Sequence, residues 1–177
     1  PATLTRMSKK LSSKVSIVTG ASRGIGRAIS IELAKEAATV VLAARSTEKL
    51  QETADKVIEA GGKAEIVITE LTEEQSIKNL VNTTNEKFKR LDILINNAGI
   101  THSADLEHTA TEDWQRCINV NARAPFILCR EALPLLKKSP AAYIINISSV
   151  VGVKGYPLQS AYTASKHALR GMTISLA

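Results

Sequence analysis

Residues 15–26 read V-S-I-V-T-G-A-S-R-G-I-G, and the punctuation of that run decides the fold. A β-branched run from Val15 stops at Thr19-Gly20. Glycines recur at Gly24 and Gly26, and an apolar helical pattern (Ile25, Ala28, Ile29, Leu33) begins at once. A strand turning this tightly into a helix aims unpaired N–H groups at one point, and glycines let an anion approach the backbone closely. The spacing is G-x-x-x-G-x-G, unlike the G-x-G-x-x-G of the common dinucleotide fingerprint. Alone, such a turn suits either a nucleotide or an ordinary tight connection, so the rest of the chain decides.

Beyond the turn, strand and helix patterns alternate. Thr39–Ala43 reads as a strand, Ser46–Ala60 as a helix stopped by Gly61-Gly62, and Ala64–Ile68 as a third strand. Thr72 with Gln75 forms a capping-box pattern ahead of an apolar stripe at Ile77, Leu80, Val81, Thr84 and Phe88. Leu91–Ile95 runs as a strand into Asn96-Asn97-Ala98-Gly99. Thr109 with Glu112 is a second capping-box pattern, opening one long helix to about Lys138. Ala142–Ile147 is a further strand, and a last helix starts near Leu158 and is still running at Ala177. Strands that are apolar throughout, alternating with helices, predict a parallel sheet covered on both faces. The fold class is therefore α/β, a doubly wound parallel sheet of Rossmann type in one domain over residues 15–177. Residues 1–14, basic and aperiodic, are expected to be a flexible tail. In such a sheet ligands bind at the carboxyl ends of the strands. The Gly20 turn, Arg45, Asn97 and Ser148-Ser149 all fall there.

Composition narrows the function. The chain has 177 residues, 44% of them hydrophobic, which suits one domain with a sizeable core. No apolar run approaches the roughly 18 residues of a membrane span. The net charge of +6 is carried by the ends: residues 1–31 hold six bases and residues 132–177 five, with no acid in either, whereas residues 32–131 hold 12 bases and 17 acids. With aromatics at only 3% there is no basic stripe interleaved with stacking residues, so no nucleic-acid partner is expected. Cys117 and Cys129 fit reduced packing residues of a cytoplasmic protein, and no metal site is expected.

Tyr162 and Lys166 stand four apart and share a helix face. A lysine charge about 4 Å away, at an effective dielectric near 20, stabilises a phenolate by roughly 4 kcal/mol before screening, which suits acid/base work near neutral pH. A Tyr/Lys pair alone also fits an ordinary helix with a solvated end. Ser149, 13 residues before Tyr162 at the end of a strand, adds a hydroxyl able to meet a carbonyl oxygen. Pro125 lies four residues after Asn121 and has no N–H, so the Asn121 carbonyl loses its helical partner and a kink is expected.

Together, T-G-A-S-R-G-I-G (19–26), N-N-A-G (96–99), Asn121, Ser149 and Y-T-A-S-K (162–166) resemble the short-chain dehydrogenases/reductases, in particular 3-oxoacyl-carrier-protein reductase-like members. The resemblance runs from Lys14 onward. It implies an oxidoreductase interconverting a ketone and a secondary alcohol, with Tyr162 as proton donor and acceptor and Lys166 lowering its pKa and holding the nicotinamide ribose. Ser149 would orient the carbonyl and Asn121 would hold a relay water. Gly20, Gly24 and Gly26 would take the pyrophosphate, and Ser22, Arg23, Ile25, Asn97, Ala98 and Gly99 would also bind the cofactor, Arg23 joining Arg45. A homo-oligomer, dimer or tetramer, is implied, with a small carbonyl or alcohol as substrate and no membrane partner. The exit of the second strand, L-A-A-R-S (42–46), has alanines where an NAD site wants an acid, then Arg45, which points to NADP(H).

Three departures stand out. Glu70-Leu71 replaces the Asp-hydrophobic pair usual after the third strand, and K-E-A-A (35–38) ends the first helix without glycine. The resemblance also implies a longer protein, so the chain is expected to be incomplete at its C-terminus, with the last strands missing and Ala142–Ile147 left as an apolar edge. The competing reading is a truncated, catalytically weak or inactive cofactor-binding or interaction module. A flavodoxin-like domain is disfavoured by Ser149, Tyr162 and Lys166.

Overall fold

The computed structural model describes residues 9–177. Its strands are β1 (Val15–Thr19), β2 (Thr39–Ala44), β3 (Lys63–Ile68), β4 (Ile93–Asn96) and β5 (Tyr143–Asn146). Its α-helices are α1 (Gly24–Lys35), α2 (Thr47–Glu59), α3 (Glu74–Phe88), α4 (Thr111–Ile118), α5 (Ala124–Leu136) and α6 (Ser160–Leu176). All strand pairs are parallel, in the order β3-β2-β1-β4-β5. The chain winds outward from β1 through β2 to β3, then returns to lay β4 on the other side. The crevice opens at that reversal, above β1 and β4.

Alternation along the central strands supplies two cores. Ile17, Val41, Ala43 and Leu94 pack with Ile77 and Leu80 of α3 and Ile127 and Leu128 of α5. Val18, Val40, Leu42, Ile93 and Ile95 pack on the other face with Leu50 and Val57 of α2. The edge strands differ from the expectation of apolar burial throughout: Lys63 and Ile68 of β3, and Tyr143 and Ile145 of β5, are exposed.

Of the expected tail, residues 1–8 lie outside the described residues. Lys9–Lys14 dock on the domain: Leu11 N–H donates to Glu36 O at 3.0 Å, Lys10 N–H donates to Glu36 Oε2 at 2.9 Å, and Lys14 O accepts from Thr39 N–H at 2.9 Å. At the same end of the sheet, Asp92 has no exposed side-chain surface. Its carboxylate accepts from Val15 N–H, the Arg90 guanidinium, Lys14 Nζ and Ser139 Oγ. Burial works against its ionisation, but these partners outweigh it and hold the carboxyl far below its usual range.

Neither capping box forms. Thr72 gives both its N–H and its hydroxyl to Glu70 Oε1 (3.0 and 2.9 Å), so it closes the turn after β3 and α3 begins at Glu74 without a side-chain cap. Thr109 Oγ1 donates back to Asp105 O, and Ala110 takes the N-cap position of α4. The expected long helix to Lys138 is also divided. Between α4 and α5, residues Asn119–Arg123 form a π turn in which Ala124 N–H donates to Asn119 O. A wide turn absorbs the donor that Pro125 lacks. The expected kink thus takes the form of a π turn centred on Asn121.

Candidate functional site

At the carboxyl ends of β1, β2 and β4 lies an open groove of about 1090 Å³. Its floor is the glycine turn. Gly20 has φ +66°, and a Cβ there would stand 2.9 Å from Ala98 Cα. A Cβ on Gly26 would run into Gly20 O and lie 2.5 Å from Asn97 Nδ2. The turn is held from both sides. Asn97 Nδ2 donates to Thr19 O at 2.8 Å, and Thr19 Oγ1 accepts from Asn97 N–H and Ala98 N–H at 3.0 and 3.1 Å. From α1, the Arg27 guanidinium donates to Ser22 O (2.6 Å), Glu52 (2.8 Å) and Thr53 Oγ1 (2.9 Å). A backbone cradle that a single Cβ would fill, opening on a helix N-terminus, fits the pyrophosphate of a dinucleotide.

Ser22, Arg23, Gly24 and Ile25 line the groove on one side, with Asn97, Ala98 and Gly99 beneath. Arg45 leaves the end of β2, exposed, with Nη1 3.6 Å from Glu70 Oε2. Glu70, noted in the sequence only as a departure from the usual pair after the third strand, also lines the groove, as do Lys49 and Arg116, which did not stand among the residues singled out there. Lys49 was readable, being three positions past the Ser46 cap on the first turn of α2. Arg116 had no signal, because only the packing of α4 brings it to this edge.

Two of the residues expected to carry chemistry, Asn121 and Lys166, stand beside Gly99. A Cβ on Gly99 would lie 3.3 Å from Asn121 Oδ1 and 3.5 Å from Lys166 Nζ. Asn121, fully buried on the π turn, commits its amide. Oδ1 accepts from Ile100 N–H at 2.9 Å, while Nδ2 donates to Ile100 O and Ser165 Oγ at 2.8 and 2.9 Å. Ser165 Oγ in turn donates to Tyr162 O at 2.7 Å, which ties the π turn to the first turn of α6. Lys166, buried one turn beyond Tyr162, donates Nζ to Ile147 O at 2.8 Å, and burial pushes its pKa below the ordinary lysine value. Tyr162 is half-buried. Ser149 is half-buried as well, and its Oγ accepts from Val151 N–H at 3.4 Å, capping the short 3-10 helix Val150–Gly152. That helix packs on α6 so closely that a Cβ on Gly152 would lie 3.2 Å from Lys166 O.

The family model described as short chain dehydrogenase matches residues 14–177. The 3beta-hydroxysteroid dehydrogenase of Mediterraneibacter gnavus is 41% identical over 165 residues, which are 93% of this chain and 59% of that protein. The 3-oxoacyl-[acyl-carrier-protein] reductase FabG of Thermotoga maritima is 38% identical over 164 residues, 93% of this chain and 67% of that protein. The chain thus spans about three-fifths to two-thirds of the length of these relatives. Among solved structures, a metagenomic short-chain oxidoreductase in complex with NADP superposes with a TM-score of 0.91 at 39% identity, covering 94% of this chain and 76% of that one. Levodione reductase superposes with a TM-score of 0.90 at 28% identity, covering 94% and 66%.

Proposed function

The chain belongs to the short chain dehydrogenase family, and from that premise we propose that it is an NADP(H)-dependent oxidoreductase interconverting a ketone and a secondary alcohol. The observation that carries this reading is the meeting of Gly99, Asn121 and Lys166 within van der Waals reach, at the edge where the glycine cradle opens. A nicotinamide held there would supply or take up the hydride. Tyr162 Oη donates a proton to the carbonyl oxygen in reduction and accepts one in oxidation. Lys166 lies on the same face of α6, where its charge favours the phenolate and its ammonium binds the ribose. Ser149 Oγ donates to the substrate oxygen and fixes its orientation. The Asn121 side chain is spent on Ile100 and Ser165. Its main-chain carbonyl, which Pro125 cannot serve, is therefore the group that holds a relay water.

Choice of NADP(H) rests on charge. Ala43 and Ala44 leave no acid to accept from a ribose 2′-hydroxyl, while Arg23, Arg45, Lys49 and Arg116 surround the groove. The NADP complex of the metagenomic relative supports the same choice. We place the protein in the cytoplasm as a homo-oligomer. Two buried, unpaired cysteines suit a reducing compartment.

Replacement of Tyr162 by Phe tests the mechanism. Turnover of ketones with NADPH should be lost, while NADPH affinity, read by nicotinamide fluorescence, stays within about three-fold. Retained turnover removes Tyr162 from the proton transfer.

A further inference from the structure

The groove is lined by four bases, Arg23, Arg45, Lys49 and Arg116, and among its described residues by one acid, Glu70. The sheet sets that acid beside Arg45. Ala44 of β2 is in register with Ile68 of β3, and Thr69 N–H donates to Ala44 O at 2.9 Å, so Arg45 and Glu70 leave neighbouring strands together. Glu70 is held in place. Its N–H donates to Ser76 Oγ at 2.9 Å, and its Oε1 accepts from Thr72 N–H and Oγ1 at 3.0 and 2.9 Å. The other oxygen, Oε2, faces Arg45 Nη1 at 3.6 Å. Arg45 is the loose partner: its side chain is 79% exposed against 32% for Glu70, and Glu70 is its one ion-pair partner among the described residues. Burial disfavours charge on Glu70, but the Thr72 hydrogen bonds and the Arg45 charge prevail and hold the carboxyl below its usual range, so it stays ionised near neutral pH.

We propose that Glu70 is a specificity-determining residue that tempers the preference of the groove for a 2′-phosphorylated nucleotide, by holding Arg45 in an ion pair that the phosphate must displace. The inference rests on the NADP(H) reading above. An exposed ion pair is weak enough to be exchanged for a phosphate. The carboxylate, fixed by Thr72, then stays close to the incoming dianion and opposes it. Displacing the pair and this opposition across roughly 6 Å of screened, high-dielectric surface together amount to about five-fold in affinity. A nucleotide without the 2′-phosphate neither displaces the pair nor feels the repulsion, so Glu70 narrows the gap between the two cofactor types.

The probes are 2′,5′-ADP and 5′-AMP, titrated calorimetrically into the full chain. Glu70→Gln keeps an oxygen for Thr72 while removing the charge, and Glu70→Ala is the second charge-removing variant should the first fail to fold. Charge removal should tighten 2′,5′-ADP about five-fold and leave 5′-AMP within about two-fold. The gain should shrink in an Arg45→Ala background, where there is no ion pair to displace and only the direct repulsion is left. An unchanged ratio of the two affinities, an equal shift of both probes, or a gain undiminished without Arg45 overturns the role of Glu70. A wild-type chain with no preference for 2′,5′-ADP instead overturns the cofactor choice, and this inference with it.

Discussion

Gly20 and Gly26 exclude a side chain for different reasons, and Gly24 for a third. Gly26 meets the Gly20 carbonyl, a neighbour that cannot move without opening the turn. Gly24 has no neighbour within 4 Å of an added Cβ, only a left-handed φ of +56°. Gly26→Ala should therefore cost about 1–3 kcal/mol of overpacking and weaken NADPH binding at least tenfold, whereas Gly24→Ala costs about 1–2 kcal/mol of backbone strain. Thermal melts and nicotinamide titrations of both variants measure the contrast; equal losses would contradict it. Arg45→Asp exchanges the proposed phosphate partner for a group that repels phosphate and accepts from a ribose hydroxyl. It should move the ratio of kcat/KM values from NADPH toward NADH by roughly tenfold or more. An unmoved ratio would shift phosphate recognition to Arg23 or Lys49. At this scale the glycine spacing was legible in the sequence, because a strand-to-helix turn tolerates few residue types. Glu70 in its pairing with Arg45 was not, since nothing local says which residues two neighbouring strands will set side by side.

Helix ends and strand ends show where local rules held and where they gave way. Ser46 caps α2 and Gly61 terminates it, as composition predicts. α1 ends instead on Ala37 at φ +65°, with Ala37 N–H donating to Ala34 O and Ala38 N–H to Leu33 O. The left-handed residue is thus present without the glycine that suits it. Ala37→Gly should stabilise the chain by about 1 kcal/mol, read as a higher urea midpoint at unchanged slope. A lower midpoint would show that chain entropy outweighs the strain. Neither capping box formed: the Thr72 and Thr109 hydroxyls donate back to Glu70 and Asp105, and Glu73 and Ala110 take the N-cap positions. Asp92 is the other strand-end feature, standing just ahead of an otherwise apolar β4 and made comprehensible only by Lys14, Arg90 and Ser139. Its folded pKa is depressed, so its stabilisation is present above the ordinary aspartate value near ~4 and is lost as pH falls below it. Asp92→Asn should cost about 3 kcal/mol at pH 7 and flatten the loss of stability between about pH 5 and pH 3. Urea melts across that range check both; a parallel pH profile in the variant would refute the assignment.

The molecule as a whole carries an unshared edge. Tyr143 and Ile145 of β5 are 60% and 44% exposed, and Ile145 lines an apolar groove of about 680 Å³ with Leu11, Ile25, Ile29, Leu33 and Ile95. An apolar edge strand with unpaired backbone groups recruits further strands. The 177-residue chain should self-associate in a concentration-dependent way, and Ile145→Lys should shift it toward monomer by light scattering after size exclusion. A monodisperse monomer before any substitution would show that the edge is adequately protected. Among the described residues no helix is long and apolar enough to cross a membrane.

The sequence by itself determined the order and type of the elements. Side-chain period, glycine punctuation and the proline at 125 act within a few residues, and alternating strands and helices call for right-handed crossovers into a parallel sheet. Family membership was legible for the same reason, since its motifs are short and sequential. Only the tertiary structure decided how Pro125 would be accommodated, which acceptors the threonines would choose, and which charges would share the groove. Those outcomes depend on groups far apart in sequence, where hydrogen bonds compete and strand register sets the neighbours. A π turn that presents Asn121 to Ile100 and Ser165, and a strand register that leaves Glu70 against Arg45, have no local signature.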